Sequence, residues 1–251
     1  MRYIKEANLP KAPVKVVIVD GRISEEAEKS LLDMNIRVIK TTKYQGLYEA
    51  ISCHPDIMLH HLGGDRMVYA PGTSAQLLEE LHNLGFKLIE GGTPLTGTYP
   101  GDISYNVAVV GNFAFHNTKY TDNVLKSELY KRDIELVHVN QGYTKCSVSV
   151  VDDSSIITSD VGICKAAEKK GLDVLLIEPD QNIELYGLDY GFIGGSSGLI
   201  DKDKWALSGN FEKLKSADLI YDFLKSKSIK IISLTHNNVV DIGSILPVLT
   251  E

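Results

Sequence analysis

The side chains able to act as nucleophiles, bases or charge partners are few, and most sit in short breaks between apolar runs. There are three cysteines, Cys53, Cys146 and Cys164. A thiolate can attack carbon or bind metal, but none of the three stands in a CxxC or Cys/His spacing, so neither a disulfide framework nor a metal site is expected. Cys146 ends the phrase Gly142-Tyr143-Thr144-Lys145-Cys146 and reads either as a nucleophile or as a buried, inert strand cysteine. Cys164, inside a helical pattern, and Cys53, before His54-Pro55, read as filler. His60 and His61 are adjacent, so on a strand they point to opposite faces and at most one looks into a common pocket. Asp102 follows Gly101 and either caps a turn or holds an ammonium group. Asp241 lies between Val239-Val240 and Ile242-Gly243, an acid among apolar residues that must find a partner. Lys145 is a candidate partner, and Asp102 competes with Asp241 for it. The glycine-rich stretch from Gly191 to Gly198 lacks the GxGxxG and Walker patterns, so close backbone approach accounts for it better than phosphate binding. No cofactor motif occurs.

The elements that must position these groups repeat. Five times an apolar strand ends in a small or polar residue, a helical stretch follows, and a second β-branched strand comes after it. The first strands are Val16 to Asp20, Met67 to Pro71, Phe113 to Asn117, Ile156 to Asp160 and Trp205 to Gly209. Their last residues are 51, 46, 43 and 49 positions apart, a period within the range of repeat architectures. Ser24, Ser74, Asn117, Asp160 and Ser216 are the expected helix caps. The helices carry apolar residues at a 3.6-residue period, and the strands after them, such as Ile36 to Ile39 and Val174 to Ile177, read as fully buried. A further strand precedes four of the units: Ile57 to Leu62, Val107 to Val110, Val148 to Val151 and Gly191 to Gly194. The first unit has none before it, because Met1 to Pro13 reads as a polar tail. Ser244 to Leu249 is left over at the other end. If that strand completes the first unit, five ββαβ units close into one α/β domain with no sheet edge left open.

This pattern resembles the pentein, or guanidino-group-modifying, fold, a five-bladed α/β propeller. The phrases Gly142 to Ser147, Ile156 to Asp160, Gly191 to Gly195 and Asp241 to Pro247 are similar to a bacterial family of unknown function assigned to that fold. The resemblance implies an axial pocket lined by the linkers that enter the units. A catalytic pentein attacks a guanidinium carbon with a Cys thiolate, moves protons with a His and holds the cation with two acids. Its cysteine lies four residues after a glycine on the last strand, a place that matches Pro247 after Gly243. Its histidine follows a glycine in the fourth unit with an aspartate two residues on, and the matches are Tyr143 after Gly142, then Lys145.

The resemblance therefore implies that the standard amidinohydrolase reaction is absent. Lys145, standing where a carboxylate is usual, points to an anionic or carboxylate-bearing ligand. Cys146 is the pseudo-fivefold counterpart of the vacated nucleophile place. The expected pocket comprises Asp102, Asn106, Tyr143, Lys145, Asp241 and Ser244, and it receives a small polar molecule bearing a carboxylate or an amine. Two alternatives stand beside this: a hydrolase or transferase of guanidino or amidino compounds that uses Cys146, and a protein that keeps the fold for structure or partner binding.

Composition removes other classes. The chain has 251 residues, 43% of them apolar, with 26 Lys and Arg against 33 Asp and Glu and a net charge of -7. The bases are scattered, so nucleic acid is not an expected partner. Neither a signal peptide nor a membrane-spanning run is present, which makes the cytoplasm the expected compartment. Nothing in the sequence fixes an oligomeric state.

Overall fold

The alternation of β-branched runs and capped helices takes physical form in a computed structural model, which describes residues 1–251. In chain order the elements begin with β1 (Arg2–Tyr3), β2 (Val14–Val19), α1 (Glu25–Asp33) and β3 (Arg37–Lys40). The second group is α2 (Pro55–Met58), β4 (Leu59–His61), β5 (Arg66–Tyr69), α3 (Ala75–Asn83) and β6 (Lys87–Glu90). The third is β7 (Ala108–Val110), β8 (Phe113–His116), α4 (Asn123–Tyr130) and β9 (Glu135–His138). The fourth is α5 (Thr144–Ser147), β10 (Val148–Val150), β11 (Ser155–Thr158), α6 (Val161–Lys169) and β12 (Asp173–Leu176). After β13 (Ile183–Glu184) comes the fifth: β14 (Ser197–Asp201), β15 (Lys204–Leu207), α7 (Ala217–Ser226) and β16 (Lys230–Ser233). The chain ends with β17 (Val239–Val240) and β18 (Leu246–Thr250).

The fold is α/β. Five separate sheets share one order: a first strand antiparallel to a second, which is parallel to a third across an intervening helix. In the first sheet the antiparallel partner of β2 is the C-terminal β18, with Pro247 opposite Val17. The ends of the chain thus meet in one sheet, as the leftover strand suggested. Loop-closure entropy is recovered there by a strand whose five residues are all buried. β13 and β17 form a small parallel pair. No helix is long and apolar enough to cross a membrane.

Several expectations need correction. The N-terminal segment is not a free tail: β1 pairs with β18, and Ile4 and Leu9 are buried. The sheets are separate rather than continuous, so each keeps an outer edge. The third strands are those edges. Their burial runs exposed, intermediate, intermediate, exposed in β6, β9, β12 and β16, because the neighbouring helix covers only part of them. Asn117 does not cap a helix; Asp122 does, its Oδ1 accepting the amides of Val124 and Leu125 at 2.9 and 3.0 Å. The intervening residues make a turn in which Thr121 meets His116 Nδ1 at 2.6 Å. Gly191 to Gly194 is not a strand: Ile193 to Ser196 form a turn in which the amide of Ser196 bonds back to the carbonyl of Phe192, and the strand starts at Ser197.

Candidate functional site

The linkers entering the five units meet one another through their backbones. The amide of Asp56 donates to Gly243 O, that of Lys145 to Asn106 O, that of Gly195 to Cys146 O and that of Ser244 to Gly195 O. Asn106 Nδ2 completes the set by donating to Asp56 O at 3.1 Å. Such contact demands small residues. A Cβ on Gly194 would lie 2.3 Å from Val148 O, and one on Gly198 would lie 2.1 Å from Ile245 O. The glycine-rich stretch therefore serves close approach, as its sequence suggested.

Cys146 sits on α5 at the centre of this meeting, 2% exposed. Its thiol donates to the Asp56 carboxylate at 3.3 and 3.4 Å and accepts from Asn106 Nδ2 at 3.2 Å. Asn106 Oδ1 in turn accepts the amides of Lys145 and Cys146 at 2.9 and 3.3 Å, so one buried amide side chain fixes the thiol's position. Burial, then the charges of Asp56 and Asp241, push the thiol well above its ordinary range. Around it, one donor atom each of Cys146, His54 and Asp56 lies within 4.8 Å of the others.

His54 is 1% exposed, and neither ring nitrogen has a hydrogen-bond partner. Nε2 lies 3.8 Å from Asp20 and Nδ1 lies 3.8 Å from Asp241, so the ring is flanked by carboxylates that do not bond it. Gly243, at φ +63°, admits it: a Cβ there would lie 2.4 Å from His54 Cβ. Asp241 is held by the amides of Phe192 and Gly243 at 2.8 and 3.0 Å, and burial raises its pKa against the pull of His54. Its carboxylate fits because residue 195 is glycine, where a Cβ would lie 2.1 Å from Asp241 Oδ1.

A cavity of about 260 Å3 opens on Cys146, His54 and Asp241. Its walls are Tyr48, Ile51, Tyr143, Leu185, Leu188, Tyr190 and Phe192, with Asp189 at an exposed position. Tyr143 hydroxyl donates to Asp102 Oδ2 at 2.5 Å and lies 3.2 Å from the hydroxyl of Tyr48. Burial, then the Asp102 charge, raise the Tyr143 pKa, so the phenol stays protonated.

Residues 18–246 match the Family of unknown function (DUF6873). The chain belongs to this family. No curated protein sequence matches it. Among solved structures, this family member is similar to the inosamine-phosphate amidinotransferase of Streptomyces griseus, with a TM-score of 0.57 and 10% identity over 94% of this chain and 92% of that one. A mutant of DDAH from Pseudomonas aeruginosa complexed with citrulline gives 0.55 and 10% over 88% and 92%. The agmatine deiminase of C. jejuni gives 0.51 and 10% over 91% and 90%. At such identities the likeness establishes fold alone, and that fold is the one shared across the pentein superfamily.

Against that background, the residues singled out from sequence divide in two. Tyr143, Asp241 and Cys146 line the cavity. Asn106, Lys145, Ser244 and Asp102 stand behind it. Lys145 does not pair directly with Asp102 or Asp241; its Nζ donates to Ser244 Oγ at 2.8 Å, and Ser244 Oγ lies 2.7 Å from Asp56 Oδ2. Burial lowers the Lys145 pKa, and Asp56 is the charge that chiefly opposes this. Ser244 reaches both groups from a left-handed backbone, φ 77°, a strained position for serine. Pro247, matched to the nucleophile place, lies in β18 opposite Val17 and does not line the cavity. Composition missed His54 and Asp56. Their signal was positional: His54-Pro55-Asp56 enters the second unit as Tyr143-Thr144-Lys145 enters the fourth, each as a short helix leading into a first strand. Although no metal site was expected, sulfur, imidazole and carboxylate are zinc-ligand types, so His54, Asp56 and Cys146 are the residues that could hold an ion.

Proposed function

We propose that this protein is a thiol-dependent enzyme acting on small guanidino or amidino cations, with Cys146 as nucleophile and His54 as proton carrier. The observation that carries the reading is the convergence of Cys146, His54 and Asp241 on one cavity whose walls include neither Lys nor Arg. A cation entering it meets the Asp241 carboxylate and aromatic faces, both attractive to positive charge. Its charge beside Cys146 offsets the burial that holds the proton on sulfur. The reading also arranges the five sheets as blades of a propeller, supported by the hydrogen bonds passed from linker to linker around Asp56, Asn106, Cys146, Gly195 and Ser244.

In this scheme the thiol proton passes to His54 as sulfur bonds to the amidino carbon. The carbon–nitrogen bond to the leaving amine then breaks while His54 returns the proton to that nitrogen. Water, deprotonated by His54, adds to the S-amidino intermediate, the carbon–sulfur bond breaks and the thiol reforms. Asn106 and Asp56 are positioning residues, each hydrogen-bonded to the sulfur.

Alkylation tests this. A cationic reagent, 2-chloroacetamidine, is expected to label Cys146 faster than neutral iodoacetamide at equal concentration, and Asp241→Asn should remove that preference. Equal, slow labelling by both reagents, together with no ammonia or ureido product from any guanidino compound, would refute the enzyme. The deep burial of Cys146 favours a second reading, a binder of the same cations without turnover. That reading predicts a raised melting temperature with such cations and no product.

A further inference from the structure

The charges lining the cavity say more about the ligand than its reacting end. The wall carries two carboxylates, buried Asp241 beside Cys146 and exposed Asp189 on the segment between β13 and β14, and no Lys or Arg. Asp189 is engaged by no basic side chain, since none of the chain's ion pairs includes it. Apart from these two acids, His54 and Cys146, the wall is aromatic and aliphatic. Phe192 packs edge-on against Tyr190 at 6.0 Å between centroids and faces Tyr143 at 6.5 Å.

We infer that the ligand is a guanidinoalkylamine, positive at both ends with an apolar spacer, and that Asp189 selects its distal ammonium. This rests on the reading of the cavity as a guanidino site. An α-amino acid such as arginine brings a carboxylate that would find no Lys or Arg on the wall and would instead face the Asp189 charge, a repulsive juxtaposition. A ligand with an uncharged tail fits the apolar wall but leaves Asp189 unused.

The experiment is titration calorimetry on the Cys146→Ser protein at low salt with three probes: 4-aminobutylguanidine, n-butylguanidine and arginine. The diamine should bind about threefold tighter than butylguanidine, the scale of one exposed charge pair. Arginine should bind about tenfold more weakly than the diamine. In an Asp189→Asn background, or in high salt, the ratio of diamine to butylguanidine should fall to about one. Arginine binding as tightly as the diamine, or an Asp189→Asn protein that keeps the ratio, overturns the assignment and leaves the guanidino reading standing. Failure of all three probes to bind overturns both.

Discussion

Replacing Asn106 with Ala tests whether one amide side chain holds the thiol in place. Four hydrogen bonds would be lost: to the amides of Lys145 and Cys146, to the carbonyl of Asp56 and to the Cys146 sulfur. The Lys145 amide keeps its bond to Asn106 O, so the amide of Cys146 is the donor left unpaired in a fully buried place. One orphaned amide costs about 1–3 kcal/mol, and each satisfied bond lost adds on the order of 1 kcal/mol or less. A total of about 2–4 kcal/mol corresponds, in a domain of this size, to a melting temperature lowered by about 5–15 °C. Scanning calorimetry at neutral pH measures it. Loss of the donor to sulfur also removes an interaction that lowers the thiol pKa, so alkylation of Cys146 in the folded protein should slow at any given pH. A fall of less than about 2 °C, with unchanged alkylation, would show that Asn106 does not organise the centre.

Other perturbations have equally definite outcomes. Asp122→Ala removes the cap of α4 together with bonds to the Gly92 amide and the Thr93 hydroxyl. It should cost about 2–4 kcal/mol in denaturant unfolding, whereas Asn117→Ala should cost under about 1 kcal/mol. Burial lowers His60 from 6.5 to about 3 and His116 to about 4. The folded protein resists protonating either ring, so they cost no stability well above pH 6.5, and stability is lost as pH falls from 6.5 towards about 4 for His116 and about 3 for His60. His60→Asn keeps a donor toward Tyr105 O and should flatten the acid limb of a plot of melting temperature against pH; an unchanged limb would exclude His60 as its source. Gly195→Ala forces the Asp241 carboxylate off its two amides. The variant should unfold about 1–3 kcal/mol more easily and lose the preference of Cys146 for a cationic alkylator.

How much was legible in the sequence differs between fold and site. Caps such as Ser24 and Asp160 announced their helices because capping is local: Ser24 Oγ accepts the Ala27 amide at 3.2 Å and Asp160 Oδ1 the Ile163 amide at 2.8 Å. Asn117 misled for the same reason, since a turn residue and a cap look alike until the next contact, Thr121 with His116, is known. Among the candidate residues that line the cavity, Tyr143 and Cys146 stood out through the family resemblance and Asp241 as an acid among apolar residues. His54 was hidden because nothing local marks a histidine as unpartnered.

What the sequence determined by itself is the periodic order of strands and helices and the meeting of its two ends. Hydrophobic periodicity and turn chemistry act over a few residues, and five repeats of one pattern leave the last strand only one place to go. Tertiary structure alone decided which charges share a volume. Lys145 is turned to Ser244 rather than to the cavity, and Asp56 rather than Asp102 or Asp241 is its principal counter-charge. It also decided that His54, 92 residues before Cys146, comes within 4.8 Å of it. Those choices depend on burial, which sets the worth of each charge, and burial is a property of the packed linkers and not of any one of them.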